Sequence, residues 1–205
     1  MPGEDRRRQI IRVAIDVFSR HGFGGTTTRQ IAEEAQVSEA MIFRHFATKQ
    51  DLYAAILDYK FQEVCGEDWQ EQMRALAARG EDEKIFRSLA TRILESYRED
   101  PAFRRLIIYS AMEGHEFSRM MHQRAFPFHA FMVDYVKRRQ KAGVFRRLDP
   151  DLTVFACVAM AAHFGMLTQI FGFDFIAASD RQAVDVFTGI MMAGVRKAGV
   201  RGERK

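Results

Sequence analysis

The sequence holds little cysteine, proline or glycine, and each scarcity excludes a class of protein. Only two of the 205 residues are cysteine, four are proline and 14 are glycine. Cys65 and Cys157 stand far apart and form no CxxC pair, which excludes a disulfide scaffold and a zinc-binding cysteine cluster and predicts reduced thiols. Alternating β-branched residues are nearly absent as well, whereas helical spacing of apolar residues recurs along the chain, so helices are predicted throughout.

The motifs of catalysis and of nucleotide cofactors are also missing. The chain has no GxSxG nucleophile motif, no phosphate-binding P-loop and no GxGxxG after a strand. We therefore predict a protein that is not an enzyme and that uses neither a cofactor nor a metal ion. An enzyme with a helical pocket, in which His115 or His163 takes part in turnover, is the alternative, and an assay of purified protein tests it.

Charge and hydropathy allow two kinds of partner. The formal net charge of +4 and the isoelectric point near 9.2 permit binding to nucleic acid. So small a charge disfavours a protein that coats DNA regardless of sequence, because such binding depends on many phosphate contacts. One apolar stretch, residues 153–173, is long enough for a membrane span. It contains His163 and Gln169, however, and we predict a buried helix in the core of an oligomer.

The N-terminus is charged, and no apolar segment follows it. We therefore expect no signal peptide, no membrane partner and a cytoplasmic protein.

Two short helices separated by a tight turn are predicted near the N-terminus. Thr27 and Gln30 form a capping-box pattern that opens the first helix, over residues 28–35. Ser38 is a preferred N-cap residue for the second helix. Two short helices on a turn of about three residues are the helix-turn-helix arrangement, in which the second helix enters the major groove of DNA.

The second helix carries more large side chains than its docking requires. At about 100° of rotation per residue, Ile42 and Phe46 form its buried face, whereas Arg44 points nearly the opposite way. Phe43 and His45 flank the helix on either side. A helix fits the major groove, which is about 12 Å wide, and arginine there donates two hydrogen bonds to guanine. Helical hairpins of this composition also occur without a role in nucleic-acid binding, so the pattern alone leaves both interpretations open.

The residues around these helices match a known pattern within residues 6–57. The matching positions are Ala14, Phe18, Gly22, Phe23, Thr26, Thr27, Ile31, Ala32, Ala35, Val37, Ser38, Phe43, His45, Phe46, Lys49 and Leu52. With these residues the region resembles the DNA-binding domain of the TetR family of bacterial transcriptional regulators. The sequence departs from the family pattern in two places, because Ala40 stands where glycine is usual and the pair Ile42-Phe43 stands where Leu-Tyr is often found. Phe43 lacks a phenolic hydroxyl, so its contact with DNA is expected to be apolar.

The resemblance implies an all-α protein with a helix-turn-helix domain over residues 1–50 and a larger helical domain over residues 51–205. It implies a ligand-responsive regulator, most often a repressor, that binds a palindromic operator in double-stranded DNA as a homodimer. A small, largely apolar effector would release the DNA. An activator or a co-repressor-dependent regulator of the same fold is the alternative. The dimer contacts are expected from the last two helices, near residues 151–171 and 181–197.

Two sets of site residues are expected. DNA contacts are expected from Thr28, Arg29, Ser38, Glu39, Ala40, Met41, Phe43, Arg44, His45 and Lys49, with Lys49 near a phosphate at the start of the next helix. An apolar effector pocket is expected among side chains of the later helices, which include Phe86, Tyr97, Phe103, Ile107, Met112, Phe128, Met132, Met160, His163 and Phe164. For each member of this second set, ordinary core packing is the alternative.

Overall fold

The computed structural model describes residues 3–64, 66–112, 117–174 and 176–197, and most of these residues are helical. They form α1 Gly3–His21, α2 Thr28–Glu34, α3 Glu39–His45, α4 Lys49–Val64, α5 Glu67–Arg79, α6 Asp82–Glu99, α7 Pro101–Met112, α8 Phe117–Lys141, α9 Pro150–Gly165 and α10 Asp180–Val195. A π-helical turn, Met166–Ile170, extends α9. The described residues contain no strand, only one isolated bridge between Phe145 and Arg196. The predicted all-α fold is therefore confirmed.

Local side-chain chemistry fixes where several helices begin and end. Thr27 and Gln30 exchange hydrogen bonds in a capping box at α2. Ser38 caps α3, and Asp149 caps α9, each by accepting a hydrogen bond from a backbone amide of the first turn. Gly22 follows α1 in the left-handed conformation, with φ of 70°, which costs glycine little. The caps at Thr27 and Ser38 were predicted from the sequence and are confirmed.

The chain packs as two compact units. The first unit combines Met1–Gly66 with Asp100–Ala125, and the second combines Glu67–Glu99 with Phe126–Lys205. In packing terms the first unit extends beyond the domain boundary predicted after residue 50, because α4 and α7 both pack on α1. The boundary between the functional domains stays a prediction.

The core of the first unit holds the two short helices in place. Apolar side chains of α1 to α4 and of α7 form this core, and Phe18, Ile31 and Ile42 are fully buried in it. Tyr53 packs edge-on against Phe18, with ring centroids 4.6 Å apart. Full burial of one such side chain contributes roughly 1.5–3 kcal/mol. Since helices of seven residues are marginal in isolation, α2 and α3 depend on this burial.

The second unit packs α6 against α9 and α10. Its core also contains a buried charge, because Asp82 at the start of α6 is 6% exposed. Arg139 donates to both carboxylate oxygens of Asp82 at 2.6 and 2.7 Å, and the hydroxyl of Tyr135 donates to the same carboxylate. Burial and then the hydrogen bond to Asp82 raise the pKa of Tyr135 above its ordinary value. The buried carboxylate thus has a charged partner, without which its burial would be unfavourable.

Among the described residues, one helical stretch meets the length and composition criteria for a membrane span, namely Pro150–Ile170. Only 33% of its most apolar 18-residue window is buried inside the chain. The core helix of a soluble protein or of a helical oligomer meets the same criteria, so a single stretch of this kind is weak support for a membrane protein.

Candidate functional site

The turn between α2 and α3 has the geometry of a Schellman motif. Gln36 adopts a left-handed conformation with φ of 54°. The backbone amide of Gln36 donates to the backbone carbonyl of Glu33 at 3.2 Å, and the backbone amide of Val37 donates to the backbone carbonyl of Ala32 at 2.9 Å. The reversal therefore takes the chain from α2 into the Ser38 cap of α3 within a few residues, as a helix-turn-helix requires.

A side chain of α1 anchors this turn. The amide nitrogen Nε2 of Gln9 donates a 3.0 Å hydrogen bond to the carbonyl oxygen of Ala35, the C-cap residue of α2. Arg6 in turn donates to Oε1 of Gln9 at 2.7 Å. A helix leaves its last carbonyls without partners inside the helix, and Gln9 supplies a partner for one of them. Sequence reasoning missed Gln9, since a contact across 26 positions leaves no periodic signal.

The burial of α3 follows the predicted pattern. Ile42 and Phe46 are 1% and 3% exposed, whereas Phe43 is 48% exposed. Ala40 and Arg44 are exposed as well, and His45 is half-buried. The outward surface of the helix therefore combines a small residue, a guanidinium group and an aromatic ring.

Other residues expected to contact DNA form hydrogen bonds or ion pairs within the chain. The hydroxyl of Thr28, the first residue of α2, donates a 2.5 Å hydrogen bond to Oε1 of Glu39, the first residue of α3. The exposed Arg29 pairs with Glu33 one turn further along α2, at 3.0 Å. The hydroxyl oxygen of Ser38 accepts a hydrogen bond from the backbone amide of Met41 at 3.2 Å. In this structure, then, several of these groups already have partners within the chain.

Lys49, which was expected near a phosphate, also makes internal contacts. Its ammonium donates to the carbonyl oxygens of Phe23 and Thr26 at 2.7 and 2.9 Å and lies 4.0 Å from the centroid of the Phe23 ring. These contacts tie α4 to the turn after α1 and give Lys49 a structural role. A phosphate contact by the same side chain stays a prediction.

The second unit contains an apolar cavity of about 640 Å³ between α9, the π-helical turn and α10. Three of the residues expected in an effector pocket, Met160, His163 and Phe164, line it. The remaining lining residues are Ala159, Leu167, Ile176, Ala178, Gln182, Ala183, Val186 and Phe187. Among these described lining residues, the polar side chains are those of His163 and Gln182, and none is a carboxylate, a lysine or an arginine.

The other residues expected in the pocket lie elsewhere. Phe86 and Met132 are buried in the core of the second unit, and Phe128 packs against it. The ring of Tyr97 packs on Gly165, where a Cβ atom would come within 2.8 Å of it.

Three more of these residues belong to the first unit. Phe103 is buried in the core of this unit, and Ile107 packs against it, while Met112 is 81% exposed. The wall contributed by α10 was missed. Gln182 and Val186, together with Ala183 and Phe187, repeat at a spacing of four residues, but the sequence alone assigned this helix to dimer contacts.

Helices α9 and α10 also expose an apolar surface. Leu152 and Phe155 on α9 are 67% and 64% exposed, and Val186 and Ile190 on α10 are each 56% exposed. Their spacing of three and four residues puts each pair on one side of its helix. Exposed apolar patches on a protein surface often mark the sites at which it binds a partner. This surface is therefore a candidate interface.

Similarity to known proteins is concentrated in the helix-turn-helix region. The family model described as "Bacterial regulatory proteins, tetR family" matches residues 10–56, which run from α1 into α4. The HTH-type transcriptional repressor Rv3405c of Mycobacterium tuberculosis is 35% identical over 68 residues, which are 28% of this chain and 36% of that protein. The chain therefore matches little more than a third of that relative's length.

Weaker similarity extends over most of the chain. The HTH-type transcriptional repressor SCO4008 of Streptomyces coelicolor is 27% identical over 166 residues, or 77% of each protein. The fold resembles the crystal structure of AibR in complex with isovaleryl coenzyme A and operator DNA. The TM-score is 0.70 at 18% identity, over 92% of this chain and 99% of that chain. With the family match and the helix-turn-helix geometry, residues 10–56 belong to the TetR family of bacterial regulatory proteins, and the chain as a whole resembles these regulators in fold.

Proposed function

We propose that this chain is a transcriptional regulator that binds a palindromic DNA operator as a homodimer. The observation that carries the proposal is α3, which is docked through Ile42 and Phe46 and leaves Arg44 and Phe43 exposed on its outward side. The names of the relatives, which are transcriptional repressors, support the same role. Because bacterial operator DNA lies in the cytoplasm, the proposal implies a cytoplasmic protein.

Sequence is read by the outward side of α3. Arg44 has the length and the donors to bond O6 and N7 of a guanine in the major groove. Ala40 allows the helix backbone to approach the base edges, and Phe43 offers an apolar contact such as a thymine methyl group. Arg29, Ser38 and His45 are proposed to contact phosphates, which position the helix without reading sequence.

The exposed apolar surface of α9 and α10 is proposed to bind a second copy of the chain. Such an interface is self-complementary under two-fold symmetry, and it would bury Leu152, Phe155 and Ile190. Two copies would present two α3 helices to successive major grooves, about 34–36 Å apart, which is why a palindromic site is expected.

The cavity of the second unit is proposed to bind a small, largely apolar effector. Its volume of about 640 Å³ lies within the range of small-molecule sites. Hydrogen bonds from its lining side chains would come from His163 and Gln182, so an uncharged or weakly polar compound fits best. The cavity lies at the C-terminal end of α9 and the N-terminal end of α10. Leu152 and Ile190 lie towards the opposite ends of these helices, whereas Val186 belongs both to the cavity wall and to the exposed surface, so the two proposed sites adjoin each other on one helix pair.

Effector binding is proposed to release the DNA, so that the protein acts as a repressor. The names of the relatives, which are repressors, support the repressor role. AibR, whose fold is similar, has been crystallised with both isovaleryl coenzyme A and operator DNA, which supports a link between a small molecule and an operator. A reporter gene behind the operator separates the possibilities. Deletion of the gene for this protein should raise expression of the reporter if the protein is a repressor and lower it if the protein is an activator.

The DNA proposal is tested by fluorescence anisotropy with a palindrome selected from the region upstream of the gene. The wild type should bind this site in preference to unrelated DNA, with an affinity that falls as salt rises. Arg44→Ala should lose about 1–3 kcal/mol of specific binding and relax the preference at one base pair of each half-site. Arg74→Ala, at an exposed arginine of α5, removes the same charge and should leave specificity unchanged. Equal affinity of the wild type for all DNA would contradict the proposal.

A further inference from the structure

Glu39 places a carboxylate on the surface that is proposed to face DNA. It is the first residue of α3 and is exposed. A carboxylate in this place does not strengthen binding to DNA in general, because it repels the phosphate backbone. Since it lies on the same short helix as Arg44, whose charge has the opposite sign, its effect on binding depends on what each group meets in the groove.

Thr28 holds this carboxylate in one orientation. The Thr28 hydroxyl donates to Oε1 of Glu39 at 2.5 Å, so a bond from α2 fixes a side chain of α3. Within the part of the chain that the structure describes, no other hydrogen bond or ion pair of Glu39 is present. The second oxygen, Oε2, is therefore able to accept a hydrogen bond from outside the chain. An exposed side chain fixed in this way loses less conformational freedom on binding than a mobile one.

The major groove offers few donors to a carboxylate. Guanine presents acceptors at O6 and N7, and thymine presents an acceptor at O4 and a methyl group. Adenine has a donor at N6, but the neighbouring N7 is an acceptor that repels the second carboxylate oxygen. Cytosine has a donor at N4 without an adjacent acceptor on its major-groove edge, and is the base that glutamate accepts from.

We propose that Glu39, oriented by Thr28, is a specificity-determining residue that selects cytosine at one position of each half-site. The inference rests on the proposed DNA-binding function. It makes Glu39 a second side chain, besides Arg44, that recognises a base. Glu39 penalises every base that offers no donor, because its carboxylate would then lose its hydration without gaining a partner. Thr28 is a positioning residue, since it acts on the base only through Glu39.

Selection from a randomised DNA library tests the proposal, with wild-type protein and Glu39→Gln compared on the same pool. The wild type should prefer cytosine over the other bases at one half-site position by about 5- to 140-fold, the range that one good base contact supplies. In Glu39→Gln the preference at this position should move to adenine, because an amide bonds both N6 and N7 of adenine. Preferences at all other positions should stay as they are.

Three further substitutions separate base selection from a purely structural role. Thr28→Val removes the hydroxyl and should weaken the cytosine preference at the same position, whereas Thr28→Ser keeps the hydroxyl and should retain it. Glu34→Gln, at a glutamate of α2 that pairs with Arg20 of α1, makes the same chemical change without changing the selected sequence. Thermal unfolding of each variant reports any loss of stability.

The outcomes distinguish failure of this inference from failure of the proposed function. If the wild type selects a defined site and Glu39→Gln selects the same site with lower stability, Glu39 only supports the helix and the inference is overturned. If the wild type selects no sequence, the proposed function fails, and the inference fails with it.

Discussion

Nε2 of Gln9 donates a hydrogen bond of 3.0 Å to the carbonyl oxygen of Ala35. The bond links α1 to the residue that directly precedes the turn between α2 and α3. The bond spans 26 positions of sequence. It attaches the turn to the longest helix of the first unit, whereas the turn itself contains a strained residue, Gln36, with positive φ. The orientation of α3 thus depends on a side chain outside the helix-turn-helix.

Gln9→Ala is expected to lower the free energy of unfolding by about 0.5–1.5 kcal/mol, because the Ala35 carbonyl loses its side-chain partner. Specific DNA affinity should fall as well, since the turn into α3 is no longer anchored. Urea denaturation and anisotropy measure the two effects. Gln72→Ala, at an exposed glutamine of α5, is the matched control, and a Gln9 variant as stable as this control would show that the anchor is unimportant.

Lys49→Met is expected to destabilise the protein in the absence of DNA by about 1–3 kcal/mol, since it leaves two partly buried carbonyl acceptors without their charged donor. The substitution keeps most of the apolar stem but removes the ammonium that donates to the carbonyls of Phe23 and Thr26. Thermal unfolding monitored by circular dichroism measures the change. An unaltered melting temperature, combined with weaker binding to all DNA sequences and a salt slope reduced by about one, would instead make Lys49 a phosphate contact.

Ile190→Glu is expected to convert the proposed dimer to a monomer, because it puts a charge into an apolar interface. Phe155→Glu should have the same effect from α9. Analytical ultracentrifugation measures the oligomeric state over a range of protein concentrations. Lys137→Glu, at an exposed position of α8, changes the charge in the same direction and should leave the dimer intact. A dimer that survives both apolar substitutions would place the interface elsewhere.

Ala159→Trp is expected to fill the cavity between α9 and α10 and to reduce the binding of the apolar dye anilinonaphthalene sulfonate. Lys137→Glu serves as the comparison, because Lys137 is exposed on α8 and does not line the cavity. Fluorescence titration should show a lost or weakened site in the Ala159 variant and a retained site in the Lys137 variant. Equal dye binding by wild type and Ala159→Trp would argue against a ligand cavity here.

Local features of the sequence were the most predictable. The caps at Thr27 and Ser38 and the buried pair Ile42 and Phe46 follow from neighbouring residues and from the period of the helix, and the structure confirms them. Gln9 was missed because its partner Ala35 is brought near only by the packing of α1 on α2.

The candidate pocket was less predictable for the same physical reason. Aromatic and methionine residues look alike in sequence whether they fill a core or line a cavity. Phe103 lies in the core of the first unit because α7 packs on α1, and Phe86 lies in the core of the second unit. Only packing separates these residues from Met160 and His163, which line the cavity. His115 lies outside the described residues.

Methylation protection of guanine N7 on the operator tests most directly whether the outward side of α3 enters the major groove, since N7 is exposed only there. Bound wild-type protein should protect a guanine in each half-site, with the two protected positions about one helical turn apart. Arg44→Ala, bound at a concentration that restores saturation, should lose that protection while its other contacts persist. A saturated wild-type complex in which every N7 stays reactive, or an Arg44 variant with an unchanged protection pattern, would contradict the assignment of this surface to DNA.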